Sequence, residues 1–167
     1  MRVYWVQNNL AFGSAITTWR DVDLLRGLGI THVINLLRNR NGKKVREFDL
    51  LRLAFKDNKK PRPKWFYRAA SKFHRRATRN KSSKLLVMCH HGRCRSASLA
   101  YFLLRSSGMI AREAEKRIRI ARPNAMLPRA YRESGELFLQ KYSKKRGEQR
   151  PERRDLHAFS AAEEGEW

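Results

Sequence analysis

Residues 85–104 constrain this chain more than any other stretch. Leu85-Leu86-Val87-Met88 is a short apolar run that ends at Cys89. His90-His91-Gly92-Arg93-Cys94-Arg95-Ser96 follows, polar and cationic with one glycine, and Ala97-Ser98-Leu99-Ala100-Tyr101-Phe102-Leu103-Leu104 is apolar and compatible with a helix. The pattern predicts a buried strand, a tight loop and a helix, with Ser96 as the expected N-cap. A loop that feeds a helix N-terminus aims backbone N–H groups at the space in front of it, which makes an anion cradle. Cys89 falls at the strand end facing that cradle. Arg95, six positions on, can close over a bound anion with its planar fork of donors. N–H dipoles, a helix N-terminus and a guanidinium all favour the thiolate over the thiol. One cradle thus activates a nucleophile and holds a phosphate in line for attack.

The spacing Cys-x-x-Gly-x-x-Arg-Ser resembles the signature of the cysteine-dependent protein phosphatases, and the surrounding chain resembles their dual-specificity branch. Leu10-Ala11-Phe12-Gly13-Ser14, the helix–glycine–strand passage up to Leu36, and Arg122-Pro123 each have a counterpart there. The resemblance implies that Cys89 attacks phosphorus and forms a phosphocysteine. It also implies that Arg95 binds phosphate oxygens and that the Ser96 hydroxyl helps release the cysteine. The loop residues His90, His91, Gly92, Arg93 and Cys94 would surround the phosphate with Arg95. One position departs from the family: Met88 stands where a loop-ordering histidine precedes the cysteine. A protonated His90 or His91 would supply positive charge in its stead; the alternative is two solvent-facing loop residues. The low-molecular-weight tyrosine phosphatases lack that histidine too, and their loop also ends Cys-Arg-Ser. Cys94 is then either a redox partner for Cys89 or a small packed residue.

A phosphate ester departs as an alkoxide unless it is protonated, and a carboxylic acid on a loop beside the cradle is the usual proton source. Upstream of Cys89 the acidic residues are Asp21, Asp23, Glu47, Asp49 and Asp57. Asp21 and Asp23 fall in an expected helix, and Asp49 opens an expected strand. Asp57 follows that strand and precedes a Pro-bearing loop, 32 residues ahead of Cys89, a separation similar to that in dual-specificity phosphatases. It is the candidate general acid, with Asp49 in reserve; the other reading of Asp57 is a turn-capping residue beside Asn58.

Charge bears on the partner. The formal net charge is +23 over 167 residues, which points to anionic partners: a phosphorylated protein, nucleic acid or anionic lipid. The family default is a protein tyrosine/serine/threonine phosphatase. The charge adds phosphoinositides and RNA 5′-phosphates, which basic family members handle. A non-catalytic phosphate-binding module and a nucleic-acid-binding protein with a vestigial pocket are the readings outside enzymology. No RNA-recognition or helix-turn-helix motif is legible. Adjacent histidines on a short loop cannot readily join both cysteines around zinc, so no metal or cofactor is expected. The only cysteines are the two in the loop, which excludes a disulfide framework. No secretory leader or membrane-spanning run is seen, and the expected location is cytoplasmic, in a soluble protein.

The remaining pattern predicts strands over 3–6, 30–36 and 49–55. A helix capped by Thr18 is expected to end at Gly27 and Gly29. A second should cover 64–79, with Pro63 in its first turn and Trp65, Ala69 and Phe73 on the inner face. Further helices are expected over 111–121, with Ala114 and Ile118 inward, and over 128–142, anchored by Tyr131, Leu137, Phe138 and Tyr142. Residues 38–44 read as a basic loop. The expected architecture is a single α/β domain over 1–143, a mixed and mostly parallel sheet flanked by helices on both faces. Residues 144–167 read as a basic-then-acidic tail, expected to be disordered.

Overall fold

The computed structural model describes residues 1–38, 47–57 and 60–148, with side chains as far as residue 142. Chain order is β1 (Val3–Gln7), β2 (Leu10–Gly13), α1 (Trp19–Gly27), β3 (Ile30–Asn35), β4 (Asp49–Arg52), α2 (Lys64–Ala77), β5 (Lys84–Met88), α3 (Arg95–Ser106), α4 (Ala111–Ala121) and α5 (Arg129–Glu148). The strands form one sheet in the order β1-β2-β5-β3-β4. β1 is antiparallel to β2, and β2, β5, β3 and β4 run parallel. The mixed, mostly parallel sheet with helices on both faces is therefore present. β5 lies between β2 and β3, buried on both faces, which its unbroken Leu-Leu-Val-Met run requires.

Alternate residues of each inner strand serve opposite cores. Leu10, Phe12, Ile34, Leu85 and Val87 pack with α2, α3, α4 and α5, in one cluster that includes Ala70, Phe102, Ile118 and Phe138. Ala11, Val33, Leu86 and Met88 face the other way and pack with Val22 and Leu25 of α1. Thr18 caps α1 as expected, accepting from the Asp21 amide while the Asp21 carboxylate accepts from the Thr18 amide.

Several local expectations are corrected. β2 is a fourth parallel-sheet member that the short Leu-Ala-Phe-Gly segment does not announce; its burial on both sides removes any alternation. β4 ends at Arg52 rather than at Phe55, although the chain stays beside β3 for three more residues: the Leu53 amide donates to the Asn35 carbonyl and the Phe55 amide to that of Leu36. Pro63 is the N-cap of α2 rather than its first turn. The inner face of α2 is Phe66, Ala70, Phe73 and Ala77, one residue round from the expected stripe, and Trp65 is 62% exposed. On α5, Tyr131 and Phe138 are buried but Leu137 is 55% exposed. α5 continues to Glu148, past the expected boundary at 143; residues 39–44 of the basic loop, Asn58 beside Asp57, and residues 149–167 of the tail lie outside the described residues.

His74, on the inner side of α2, is buried, and no hydrogen-bond partner reaches its Nε2 among the described residues. Burial pushes its pKa from 6.5 down to about 4. The unfolded chain therefore takes up this proton first as pH falls. The contribution of His74 to stability is intact above pH 6.5 and is lost as pH drops toward 4, a change of about 3 kcal/mol. Denaturant unfolding at pH 7.5 and pH 4.5 is expected to show this loss in the wild type and a smaller one in His74→Phe. Equal losses would place the acid sensitivity elsewhere.

Candidate active site

The loop after β5 sits at the carboxyl edge of the parallel strands, where open α/β sheets place their sites. Its shape follows from what its backbone meets. The carbonyls of His90, His91 and Arg93 accept from the Ala15 amide at 3.2 Å, Arg122 Nη1 at 2.6 Å and the Met126 amide at 2.8 Å. All these peptides are trans. A trans unit carries its C=O and N–H on opposite sides, so carbonyls held outward turn N–H groups toward the loop interior. Gly92 has φ +65°, and a Cβ there would lie 2.6 Å from the Gly13 carbonyl carbon and 2.7 Å from the Ser14 nitrogen. The loop can press against the end of β2 only with glycine at this position.

Cys89 is buried at the end of β5, with its amide donating to the Gly13 carbonyl. Its Sγ lies 3.2 Å from Ser96 Oγ. With the cysteine as thiolate, the Ser96 hydroxyl is the donor of that bond. Ser96 is thus not the cap expected of it. α3 starts two residues earlier, with Cys94 at the N-cap position and no side-chain cap. That leaves the Ser96 hydroxyl, inside the first turn, free for the sulfur.

Arg95 is the first residue of α3. Its Nη1 donates to the Phe55 carbonyl at 3.1 Å and reaches that of Leu36 at 3.5 Å, which fixes the plane of the guanidinium. Its Nε is buried with no hydrogen-bond acceptor. Asp57 Oδ2 stands 3.4 Å away, close enough for an ion pair but without hydrogen-bonding geometry. Asp57 lies at the pocket rim with its side chain 41% exposed. Its Oδ1 faces Tyr131 Oη at 3.4 Å and Cys94 Sγ at 3.5 Å. Asp49, the reserve acid, is far from this cluster in role: both its oxygens accept from Arg76, and His32 is 3.5 Å away.

A cavity of about 450 Å³ joins these groups. Cys89, Asp57, His91, Arg93, Cys94 and Arg95 all line it. His90 does not; both histidine rings are exposed and meet each other at a 4.2 Å centroid distance. Met88, in the position where the family carries histidine, is wholly buried on the α1 side of the sheet. Four further cavity residues, Arg2, Arg122, Asn124 and Met126, carry no role in the sequence reading. Arg2 comes from the chain start. Arg122, only 7% exposed, holds the His91 carbonyl, bonds Asn124 Oδ1 at 2.9 Å and lies over the Tyr4 ring at 4.8 Å. Asn124 also accepts Arg93 Nε at its carbonyl. The one sequence signal for this pair is the Arg-Pro turn itself. A larger cleft of about 590 Å³ between α4 and α5 holds no cysteine, and its carboxylates are paired: Glu136 accepts from Tyr101 and Arg105, Glu115 pairs with Arg132 and Glu133 with Arg129. Among the described residues no three His, Cys, Asp or Glu side chains converge on a metal position, and no helix is long and apolar enough to cross a membrane.

Residues 12–134 match the family described as "Dual specificity phosphatase, catalytic domain". Among solved structures, PTPMT1 in complex with PI(5)P is 16% identical at TM-score 0.74, covering 86% of this chain and 98% of that one. A mouse protein described as a dual specificity phosphatase, bound to zinc tungstate, is 23% identical at TM-score 0.75, covering 86% and 90%. A variant of human DUSP28 is 24% identical at TM-score 0.69, covering 89% and 98%. At such identities the likeness is one of fold. No curated protein matches the sequence.

Proposed function

Since this chain belongs to the dual specificity phosphatase catalytic-domain family, we propose that it hydrolyses phosphate monoesters through a phosphocysteine on Cys89, with phosphorylated protein as the substrate the family suggests. The observation that carries the reading is the convergence of Cys89, Arg95 and Asp57 on one cavity, with the Ser96 hydroxyl 3.2 Å from the Cys89 sulfur behind it and the Arg95 Nε buried without a hydrogen-bond acceptor.

The chemistry follows in two steps. The Cys89 thiolate attacks phosphorus while the ester P–O bond breaks; the loop amides and Arg95 hold the three equatorial oxygens. Protonated Asp57 gives its proton to the departing oxygen, so the alcohol leaves neutral. Water then attacks the phosphocysteine and Asp57, now a carboxylate, takes its proton. The S–P bond breaks, the Ser96 hydroxyl donates to the returning thiolate, and inorganic phosphate departs.

A second substrate reading rests on the lining. Arg2, Arg93, Arg95 and Arg122 face a cavity whose rim carries one carboxylate, and Met126 is its large apolar side chain. This composition suits an ester with further negative charge beside the scissile phosphate better than a lone aryl ring. The PTPMT1 neighbour was crystallised with such a ligand, PI(5)P. A panel of phosphopeptides, inositol lipids and 5′-triphosphate RNA separates the classes.

Asp57→Asn tests the mechanism. For an alkyl phosphate kcat is expected to fall by about 10²–10⁴-fold, and for an aryl phosphate with a good leaving group by less than about tenfold, since only the former needs the proton. The alkaline limb of the kcat/KM profile should also vanish. If Asp49→Asn shows this pattern and Asp57→Asn does not, the acid is Asp49.

A further inference from the structure

From Asn58 to Arg112 the sequence contains no Asp or Glu. The structure shows where that imbalance surfaces. On α4 and α5 three arginines pair with a carboxylate one turn away, Arg117 with Glu113, Arg119 with Glu115 and Arg129 with Glu133, while Arg112 has no such pair among the described residues. Along α2 such pairs are fewer. Lys64, Arg68, Lys72, Arg75 and Arg79 are all exposed, and none has a carboxylate within ion-pair distance among the described residues. Arg76, the remaining cation of the helix, is the one taken, by Asp49.

The five lie at steps of four, four, three and four residues. At 100° and 1.5 Å per residue the four within α2 stay in a sector of about 80° and extend about 16 Å, and Arg79 follows in the turn after the helix. This is a row of cations at intervals of about 5–6 Å, flanked near its start by Trp65, a large aromatic that is 62% exposed and meets Phe66 edge-on. We propose that this face of α2 binds a single-stranded nucleic acid, with the row tracking the phosphodiester backbone and Trp65 stacking on a base.

An anionic membrane fits less well. A helix that lies in a lipid interface buries a broad apolar face there. The apolar face of α2, Phe66, Ala70, Phe73 and Ala77, is spent on the protein core, so Trp65 alone could insert. A row of charge with one flat ring beside it matches a linear chain of phosphates and bases. The row also begins at the catalytic end of the sheet. Phe66 packs edge-on against Phe55, whose carbonyl holds Arg95.

The test is fluorescence anisotropy of the full chain with a labelled RNA oligonucleotide bearing a 5′-hydroxyl, so that no terminal phosphate enters the pocket and the phosphatase reading is not at stake. If all five cations contact phosphates, log K should fall against log salt with a slope of about −3.5, roughly a 100-fold loss between 50 and 200 mM. Replacing Lys64, Arg68, Lys72, Arg75 and Arg79 with Gln should flatten that slope to near that of a weak, diffuse interaction. Trp65→Ala should weaken binding about tenfold with the slope unchanged. Thermal unfolding confirms that each variant is folded. A control replaces Arg112, Lys116 and Arg119 of α4 and should bind as wild type does. The proposal is overturned if the oligonucleotide binds the five-site variant as tightly as the wild type, or if the α4 control loses as much. It is equally overturned if phosphatidylserine vesicles bind the α2 face and the oligonucleotide does not.

Discussion

Cys89→Ser is expected to lower turnover of every phosphate monoester by about 10⁴-fold or more, while binding of a phosphate analogue such as tungstate or vanadate persists. The substitution exchanges sulfur for oxygen at a site that is closed to solvent and fixed by the backbone, with the amide bonded to Gly13 and the side chain against Ser96. The cradle should survive it. What is lost is the nucleophile, because a serine hydroxyl is not ionised by amides and a guanidinium as a thiol is. Binding with no turnover is thus the expected signature. Loss of both would mean that the loop had collapsed, and wild-type-like turnover would remove Cys89 from the mechanism.

Arg95→Lys should cost about 10²–10³-fold in kcat, with a smaller change in KM. The loss arises from geometry rather than charge. The guanidinium is tethered through Nη1 to the carbonyls of Phe55 and Leu36, which leaves its Nε buried and without an acceptor beside the cradle. A lysine ammonium has one charged atom. It can satisfy the two carbonyls or reach the phosphate, but it cannot hold a planar fork on both. Stopped-flow or steady-state kinetics with one aryl phosphate measures the split. A variant that keeps more than a tenth of wild-type kcat would show that positive charge alone suffices.

The sequence carried the loop because its chemistry is local. A strand end, one glycine and Cys-x-x-Gly-x-x-Arg-Ser fix the cradle within eight residues, and Asp57 follows from its place after a strand and its separation from the cysteine. Features set by tertiary contact were harder to read. Arg122 earns its place by lying against Tyr4 and holding the His91 carbonyl, and its partners are distant in the chain. Tyr131 looked like an apolar anchor and is one, yet its hydroxyl also faces Asp57. Periodicity cannot choose the inner face of α2 between Trp65 and Phe66, which are adjacent aromatics; packing against Phe55 selects Phe66. Ser96 has the residue type of an N-cap, but α3 begins at Arg95 and the hydroxyl turns to the cysteine instead. β2 was missed because four residues buried on both sides leave no periodicity to detect.

The central claim is that the phosphoryl group passes through Cys89. The most direct measurement is to quench the wild-type protein in acid during turnover of a phosphate monoester and locate the transferred group by peptide mass spectrometry. One phosphoryl group on the sulfur of Cys89, absent from Cys89→Ser, is the predicted result. A phosphoryl group on His90, His91 or Asp57, or turnover that survives in Cys89→Ser with no covalent adduct in either protein, would contradict it.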